Sequence, residues 1–505
     1  MSTGNTKYGD SALQSNTAIN SNSSAFGICA LRDSSYIDNT AVGAYSGTFT
    51  TTGQSNVSLG TNSLLKNTTG SYNTAVGTAA MCFNETGNNN TAVGSNALEN
   101  NAANNNIAVG ALALYNNIIG NNNVAVGYRA LEANKNNSMT AVGYQALLKA
   151  NPTSGTSTAI GYKTLEESTT AVGNTAVGYG ALQKNTIANN NTAIGAFALQ
   201  QNTIGERNVA VGYSALGNNL TQGDNVAVGF HALLNSTGTT NIGIGSYVLS
   251  TNTGDDNIAI GNAALNVKTS GNANVAVGSY ALQQSQTGRF NVAVGRYSLN
   301  GLTGDANSNT AVGNEAGRYI QTGTGNTILG YNAGSIATLT SSTNNTLLGS
   351  YAGNNITTGT SNICIGISSQ VPVATNSNQI AIGTSSETMY IQGGHCWRVN
   401  TAVITSATQV NYPFYQLYLV DATTSYTITL QNAGSTIQGA HFIFKRINGA
   451  SDISFNTVSN FNVIYPYDGV TKTNIVKMTS SQYQTEFICY TDSTGSGSWC
   501  QINTQ

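Results

Sequence analysis

The chain has 505 residues, only 8% of them charged, and a net charge of −2. An ordinary soluble domain carries about 25% charged residues, so the polar character here comes from Asn, Thr, Ser and 56 glycines. That balance leaves no basic stripe for nucleic acid, and no apolar run approaches the ~18 residues of a membrane-spanning helix, so neither nucleic-acid binding nor membrane insertion is expected.

Four prolines and abundant Val, Ile, Thr and Tyr favour strands over helices. The opening residues Met1-Ser2-Thr3-Gly4-Asn5 carry neither the basic stretch nor the apolar core of a secretion signal. From there one phrase, Asn-Thr/Val-Ala-Val/Ile-Gly-x-x-Ala-Leu, recurs 23 times, anchored on glycines from Gly9, Gly27 and Gly43 to Gly349, Gly366 and Gly383. The 374 residues from first to last anchor hold 22 intervals, a mean period of 17.0. A short, constant period over three-quarters of a chain predicts a solenoid in which each coil rests on its neighbours.

In the copy Asn123-Val124-Ala125-Val126-Gly127-Tyr128-Arg129-Ala130-Leu131, Val124 and Val126 share one side of a strand and Ala125 takes the other. The Thr/Val and Val/Ile positions are expected to line the apolar core. The glycine permits a bend. A second short strand ending in Ala-Leu and a polar return complete a coil of two strands and two turns. The predicted class is all-β, a parallel β-solenoid or β-roll of about 17-residue coils.

The residue four before the anchor is Asn in 19 of 23 copies; Ser23, Met139, Ser157 and Gln379 are the exceptions. Like residues stack at the ~4.8 Å coil spacing, so these amides are expected to form a hydrogen-bonded ladder. Asn123, Asn174, Asn208 and Asn274, with the anchors Gly127, Gly178, Gly212 and Gly278, are therefore assigned to structure. Each coil has only four or five sizeable apolar side chains. A self-contained triangular β-helix would show about three apolar-glycine hexapeptides per coil. The single phrase predicts that the apolar side packs on other copies, with three the natural closed number.

The Asn-x-Ala-Val/Ile-Gly phrase resembles the head repeats of trimeric autotransporter adhesins. Longer copies, such as Asn174-Thr175-Ala176-Val177-Gly178-Tyr179-Gly180-Ala181-Leu182, are similar to repeats of phage and giant-virus tail-fibre or surface-fibre proteins. The resemblance spans residues 5–394. It implies a left-handed parallel β-roll in a homotrimer on the virion surface or outside the cell. It also implies attachment to a virion or filament protein at the N-terminal end and recognition of a host-cell receptor or glycan. The 17-residue period is longer than the adhesins' coil, and neither a heptad stalk nor a C-terminal membrane barrel is seen in the sequence.

A row of tyrosines, Tyr128, Tyr144, Tyr162, Tyr179 and Tyr213, follows the anchors, with Tyr280, Tyr297 and Tyr351 one place later. Stacking among themselves is the favoured reading over a glycan-binding stripe. Cys29 and Cys364 lie inside repeat phrases and are read as packing residues. Past Gly313 the Ala-Leu pair becomes Ala-Gly at Ala316-Gly317, Ala333-Gly334 and Ala352-Gly353, which is expected to thin the core. The shaft is assigned to 1–377, a closing coil and neck to 378–396, and a tip to 397–505. In the tip, about seven short alternating segments predict a small antiparallel β-sandwich, with Cys489 and Cys500 able to approach across a hairpin. Its candidate contact residues, by type, are Tyr412, Tyr415, Tyr465, Tyr467, Asp468, Asp492 and Trp499.

Chemistry is sparse. His231, His395 and His441 are far apart in sequence, and His231 is expected to be solvated. Glu166-Glu167 and Asp255-Asp256 lie in polar returns, where solvation is favoured over a glycosidase pair. No nucleophile elbow, P-loop, EF-hand or zinc motif is found. No catalytic, cofactor or metal residue is assigned, and no enzyme is expected. The sequence thus points to a structural and adhesive fibre. A polysaccharide-degrading tailspike and a bacterial surface adhesin are the alternatives, and ice binding is a third from another class.

Overall fold

A computed structural model describes residues 4–15, 22–35, 37–150, 156–267, 270–335 and 341–384, and the backbone of eleven strands within 397–504. The chain divides into two units, Met1–Ala381 and Ile382–Gln505.

In the first unit, 23 three-residue strands, from β1 (Thr6–Tyr8) to β23 (Ile380–Ile382), build one sheet, one strand per coil. Neighbours run parallel with like residues paired, as in Thr175↔Thr192, Ala176↔Ala193 and Val177↔Ile194. Each strand ends at its anchor glycine. Gly127 has φ +132°, and a Cβ there would lie 2.7 Å from the carbonyl carbon of Gly143 in the next coil. The chain bends where the following coil's backbone passes closest, and only glycine fits both demands.

The expected second strand is absent. After Gly77 the chain makes three overlapping turns, with Ala80 N–H donating to Gly77 C=O (3.3 Å), Cys82 to Ala79 (3.3 Å) and Asn84 to Met81 (3.1 Å). The second and fourth residues past the anchor are left-handed, as in Arg129 (φ 57°) and Leu131 (φ 52°). The turns still knit the coils together: Arg129 N–H donates back to Ala111 and Leu131 N–H forward to Ala146, both at 3.0 Å. A strand would send Ala130 and Leu131 to opposite sides. The alternating handedness turns both inward, and both are fully buried. A left-handed leucine costs about 1–2 kcal/mol, which burial of its side chain, about 1.5–3 kcal/mol, offsets.

The strand's faces are the reverse of the expectation. The middle alanines, such as Ala125, Ala176 and Ala210, are fully buried, while Val124 and Val126 lie half-exposed on the outer surface. The space between sheet and turns is thin. Alanine from the strand and leucine from the turn fill it together, and a β-branched pair from the strand would not fit.

The core is not thinned towards the C-terminal end. Where Gly317, Gly334 and Gly353 replace the turn leucine, the strand alanine becomes Ile328 or Leu347, and Ile320 and Ile356 also turn inward. A Cβ on Gly317 would meet Ile328 Cδ1 at 3.0 Å and Ile320 Cδ1 at 3.2 Å. Volume lost from the turn returns from the strand, which keeps the interior close-packed.

In the second unit the described strands are β24 (Trp397–Ile404), β25 (Thr408–Val410), β26 (Tyr415–Asp421), β27 (Tyr426–Leu430), β28 (His441–Asn448), β29 (Ile453–Thr457), β30 (Val463–Ile464), β31 (Thr471–Lys472), β32 (Ile475–Met478), β33 (Gln484–Thr491) and β34 (Gly497–Thr504). They form a seven-stranded and a four-stranded sheet. The pairing is mixed rather than antiparallel. β24, β26 and β28 are parallel neighbours, as are β25, β27 and β29, while β28–β33, β33–β34, β29–β32 and β30–β31 are antiparallel. The first six strands alternate between the sheets, so each is the crossover for its neighbours, and crossovers give parallel pairs. Across the β33–β34 hairpin, Cys489 pairs with Trp499 and Cys500 with Ile488, so the two cysteines are not register partners.

Candidate functional site

Two rows run along the outside of the solenoid, one the length of the sheet and one, aromatic, continuous from Tyr128 to Tyr247. The first is the outer side of the sheet. Its third strand position is aliphatic in 21 of 23 coils, with Tyr8 and Phe26 in the first two. These side chains are half-exposed, 42% at Ile194 and 39% at Ile244. The first strand position is mixed. Thr140, Thr158, Thr175 and Thr192 form one block, and Val209, Val226, Ile242, Ile258, Val275 and Val292 the next. At ~4.8 Å per coil, the aliphatic third-position row runs roughly 100 Å along the sheet.

The second row is aromatic. Tyr128, Tyr144, Tyr162 and Tyr179 stack with ring centroids 5.4, 5.2 and 4.8 Å apart and interplanar angles of 22°, 9° and 10°. Phe197, Tyr213, Phe230 and Tyr247 continue the line at 5.2–5.7 Å. Tyr280 and Tyr297 form a separate stacked pair at 5.0 Å and 10°. In the stacked run the ring faces lie against one another, so ring edges and hydroxyls point outward. A pyranose ring needs a free aromatic face, and the favoured self-stacking reading fits this geometry. His231 is not simply solvated. It stacks on Phe230 at 4.0 Å between Tyr213 and Tyr247.

The asparagine ladder is present and buried. Asn123 donates its backbone N–H to Asn106 Oδ1 (2.9 Å) and its Nδ2 to Asn136 C=O (2.7 Å), and its Oδ1 accepts Met139 N–H (2.8 Å). Asn174, Asn208 and Asn274 repeat the pattern, each capping a carbonyl at 2.9 Å in the next coil. Their anchors Gly178, Gly212 and Gly278 have φ of 131–134°. A second ladder, not anticipated, stands seven residues past the anchor at Asn67, Asn84, Asn101, Asn117 and Asn134. Each Nδ2 donates to the Oδ1 before it at 2.7–3.3 Å. The recurrence of Asn at that offset was visible in the sequence but merged with the asparagine-rich returns.

Charged groups are held by partners within their own coil or in the next. Glu166 accepts from Lys163 (3.0 Å) and Gln183 (2.8 Å). Asp255 accepts Thr239 N–H (2.7 Å) and Asp256 the Thr240 hydroxyl (2.5 Å). The Arg207 guanidinium grips Asp224 bidentately and holds its carboxyl below the usual range. Cys364 is fully buried at a strand-middle position, as a packing residue, while Cys29 is half-exposed. Burial pushes the Cys82 and Cys364 thiols up to about 11. Among the described residues, no three His, Cys, Asp or Glu side chains are placed to hold a metal ion.

Of the tip candidates, Tyr415 lies on β26 and Trp499 on β34. Tyr412, Tyr465, Tyr467, Asp468 and Asp492 lie outside the described residues. Comparison with protein-family models, with curated proteins and with solved structures finds no match. The fold itself defines a class: a parallel β-solenoid repeat protein whose outer sheet face carries a continuous aliphatic row.

Proposed function

We propose that the chain is the subunit of a structural, adhesive fibre in which three copies pack sheet against sheet to form a shaft. The observation that carries this reading is the third-position row, aliphatic in 21 of 23 coils and half-exposed in the single chain. Withdrawing the remaining half of each side chain contributes about 1 kcal/mol per coil, on the order of 20 kcal/mol per chain before the cost of association. The mixed first position supports rotation about an axis. Two faces meeting flat would bury both rows equally, whereas three meeting around an axis bury one row deeply and leave the other nearer the rim. In this reading the C-terminal unit presents the contact with a host receptor or glycan, and the N-terminal end joins a virion or filament protein. The fibre sits on a virion surface or outside the cell and performs no reaction.

The test is the mass of the native assembly by sedimentation equilibrium. Three times the 52.1 kDa chain mass is expected, and a monomer at micromolar concentration overturns the proposal. Charging the row with Val211→Lys and Val228→Lys is expected to shift the mass towards the monomer while leaving the coils' amide protection unchanged.

A further inference from the structure

The stacked tyrosines have a second consequence, which does not depend on how copies assemble. We propose that they form a site of oxidative cross-linking, at which a one-electron oxidant joins tyrosines of successive coils as dityrosine. Three observations combine. Four phenols stand in one line with near-parallel rings 4.8–5.4 Å apart. Each is 39–52% exposed, so an oxidant reaches the hydroxyls. The in-register parallel sheet holds each ring beside its neighbour without further search. Tyr280 and Tyr297 share the geometry. Tyr331 and Tyr351 do not, because their rings cross at 86°. Tyr45 and Tyr72 are as exposed but have no aromatic neighbour among the described residues.

The oxidant is a haem peroxidase with hydrogen peroxide. Each phenol gives one electron and its hydroxyl proton, and the peroxide takes both electrons and both protons and leaves as water. The two phenoxyl radicals join through ring carbons ortho to oxygen. The hydrogens on those carbons then move to the oxygens, which restores both aromatic rings and both hydroxyls. A bond between Tyr144 and Tyr162 spans 18 residues of sequence and staples two coils that are otherwise joined by hydrogen bonds and packing. Like any cross-link, it resists opening of the loop it closes.

Trypsin cuts at Arg129, Lys135, Lys149, Lys163 and Lys184, so the four tyrosines fall on separate peptides. Peroxidase treatment of the whole protein is expected to link 136–149 to 150–163, and 150–163 to 164–184, each pair lighter by the hydrogens lost in coupling. In the double variant Tyr144→Phe, Tyr179→Phe the stack keeps its rings but Tyr162 loses both phenolic neighbours. Its cross-links are expected to vanish, while the Tyr280–Tyr297 link persists and reports an intact fold. Cross-links concentrated on Tyr45 and Tyr72, or links from Tyr162 that survive in the double variant, overturn the proposal.

Discussion

Replacing Gly243 by alanine restores the residue that 17 of 23 coils carry at mid-strand, yet it is expected to destabilise the protein. The space for that Cβ is already taken: it would press on Leu233 Cδ1 and meet Val248 Cγ1 at 3.1 Å. Val248 stands where most coils have alanine, and it is fully buried. Overpacking of this kind costs about 1–3 kcal/mol, and the reduced freedom of the unfolded chain returns about 0.4–1 kcal/mol, a net loss of about 1–2 kcal/mol. Val248→Ala alone removes two buried methyl groups and leaves a cavity, about 2–3 kcal/mol. The double variant has alanine at both places, as at Ala259 and Ala264 in the next coil. With the Val248 methyls gone Leu233 has room to shift off the new Cβ, and the double variant is expected to recover most of both losses, a coupling of about 3–4 kcal/mol. Solenoids open locally, so the assay is native-state hydrogen exchange of Ile242–Ile244 and the adjoining strands Val226–Val228 and Ile258–Ile260. Each single variant should exchange about 10- to 100-fold faster, and the double variant close to the wild-type rate, since tenfold corresponds to about 1.4 kcal/mol. Additive losses in the double variant would refute the packing argument.

Gly127→Ala forces a Cβ towards the Gly143 backbone at a φ of +132°; neither side can yield, and a loss of more than about 3 kcal/mol in local exchange protection is expected. Asn123→Leu leaves the Met139 N–H without its acceptor and the Asn136 carbonyl with Asn134 Nδ2 as its remaining amide donor, a loss of about 1–3 kcal/mol that amide exchange at Met139 should report. The Cys82 and Cys364 thiols titrate near 11 when folded against an ordinary value of 9.0. Because the folded value is raised, their contribution is fully present below pH 9 and is lost as the pH climbs towards 11. Alkylation at pH 8.5, followed by mass spectrometry, should label the half-exposed Cys29 and spare both buried thiols until the protein unfolds.

Much of the shaft was legible because a solenoid writes its geometry into a period. The 17-residue spacing marked the coils, the anchor glycines marked the bends, and the recurring Asn at Asn123 and Asn174 marked a ladder that the hydrogen bonds reproduce. What stayed hidden has a physical cause in each case. Alternation of Val124, Ala125 and Val126 separates two sides of a strand but does not label which is inside, and it is the alanine side that faces the core. Ala130 and Leu131 read as a strand because nothing in a leucine announces a left-handed backbone. The second ladder at Asn67 and Asn84 was lost among other asparagines, and strand direction in the second unit leaves no mark on side-chain alternation.

The sequence by itself determined the repeat, its length, the glycine bends and the stacking of like residues, because identical neighbours at a fixed spacing admit few arrangements. The tertiary structure alone decided what each coil hides. Volume is shared between strand and turn across neighbouring coils, so Gly243 needs Val248 and Gly334 needs Leu347. That same sharing leaves the β-branched row on the outside, where a partner can reach it.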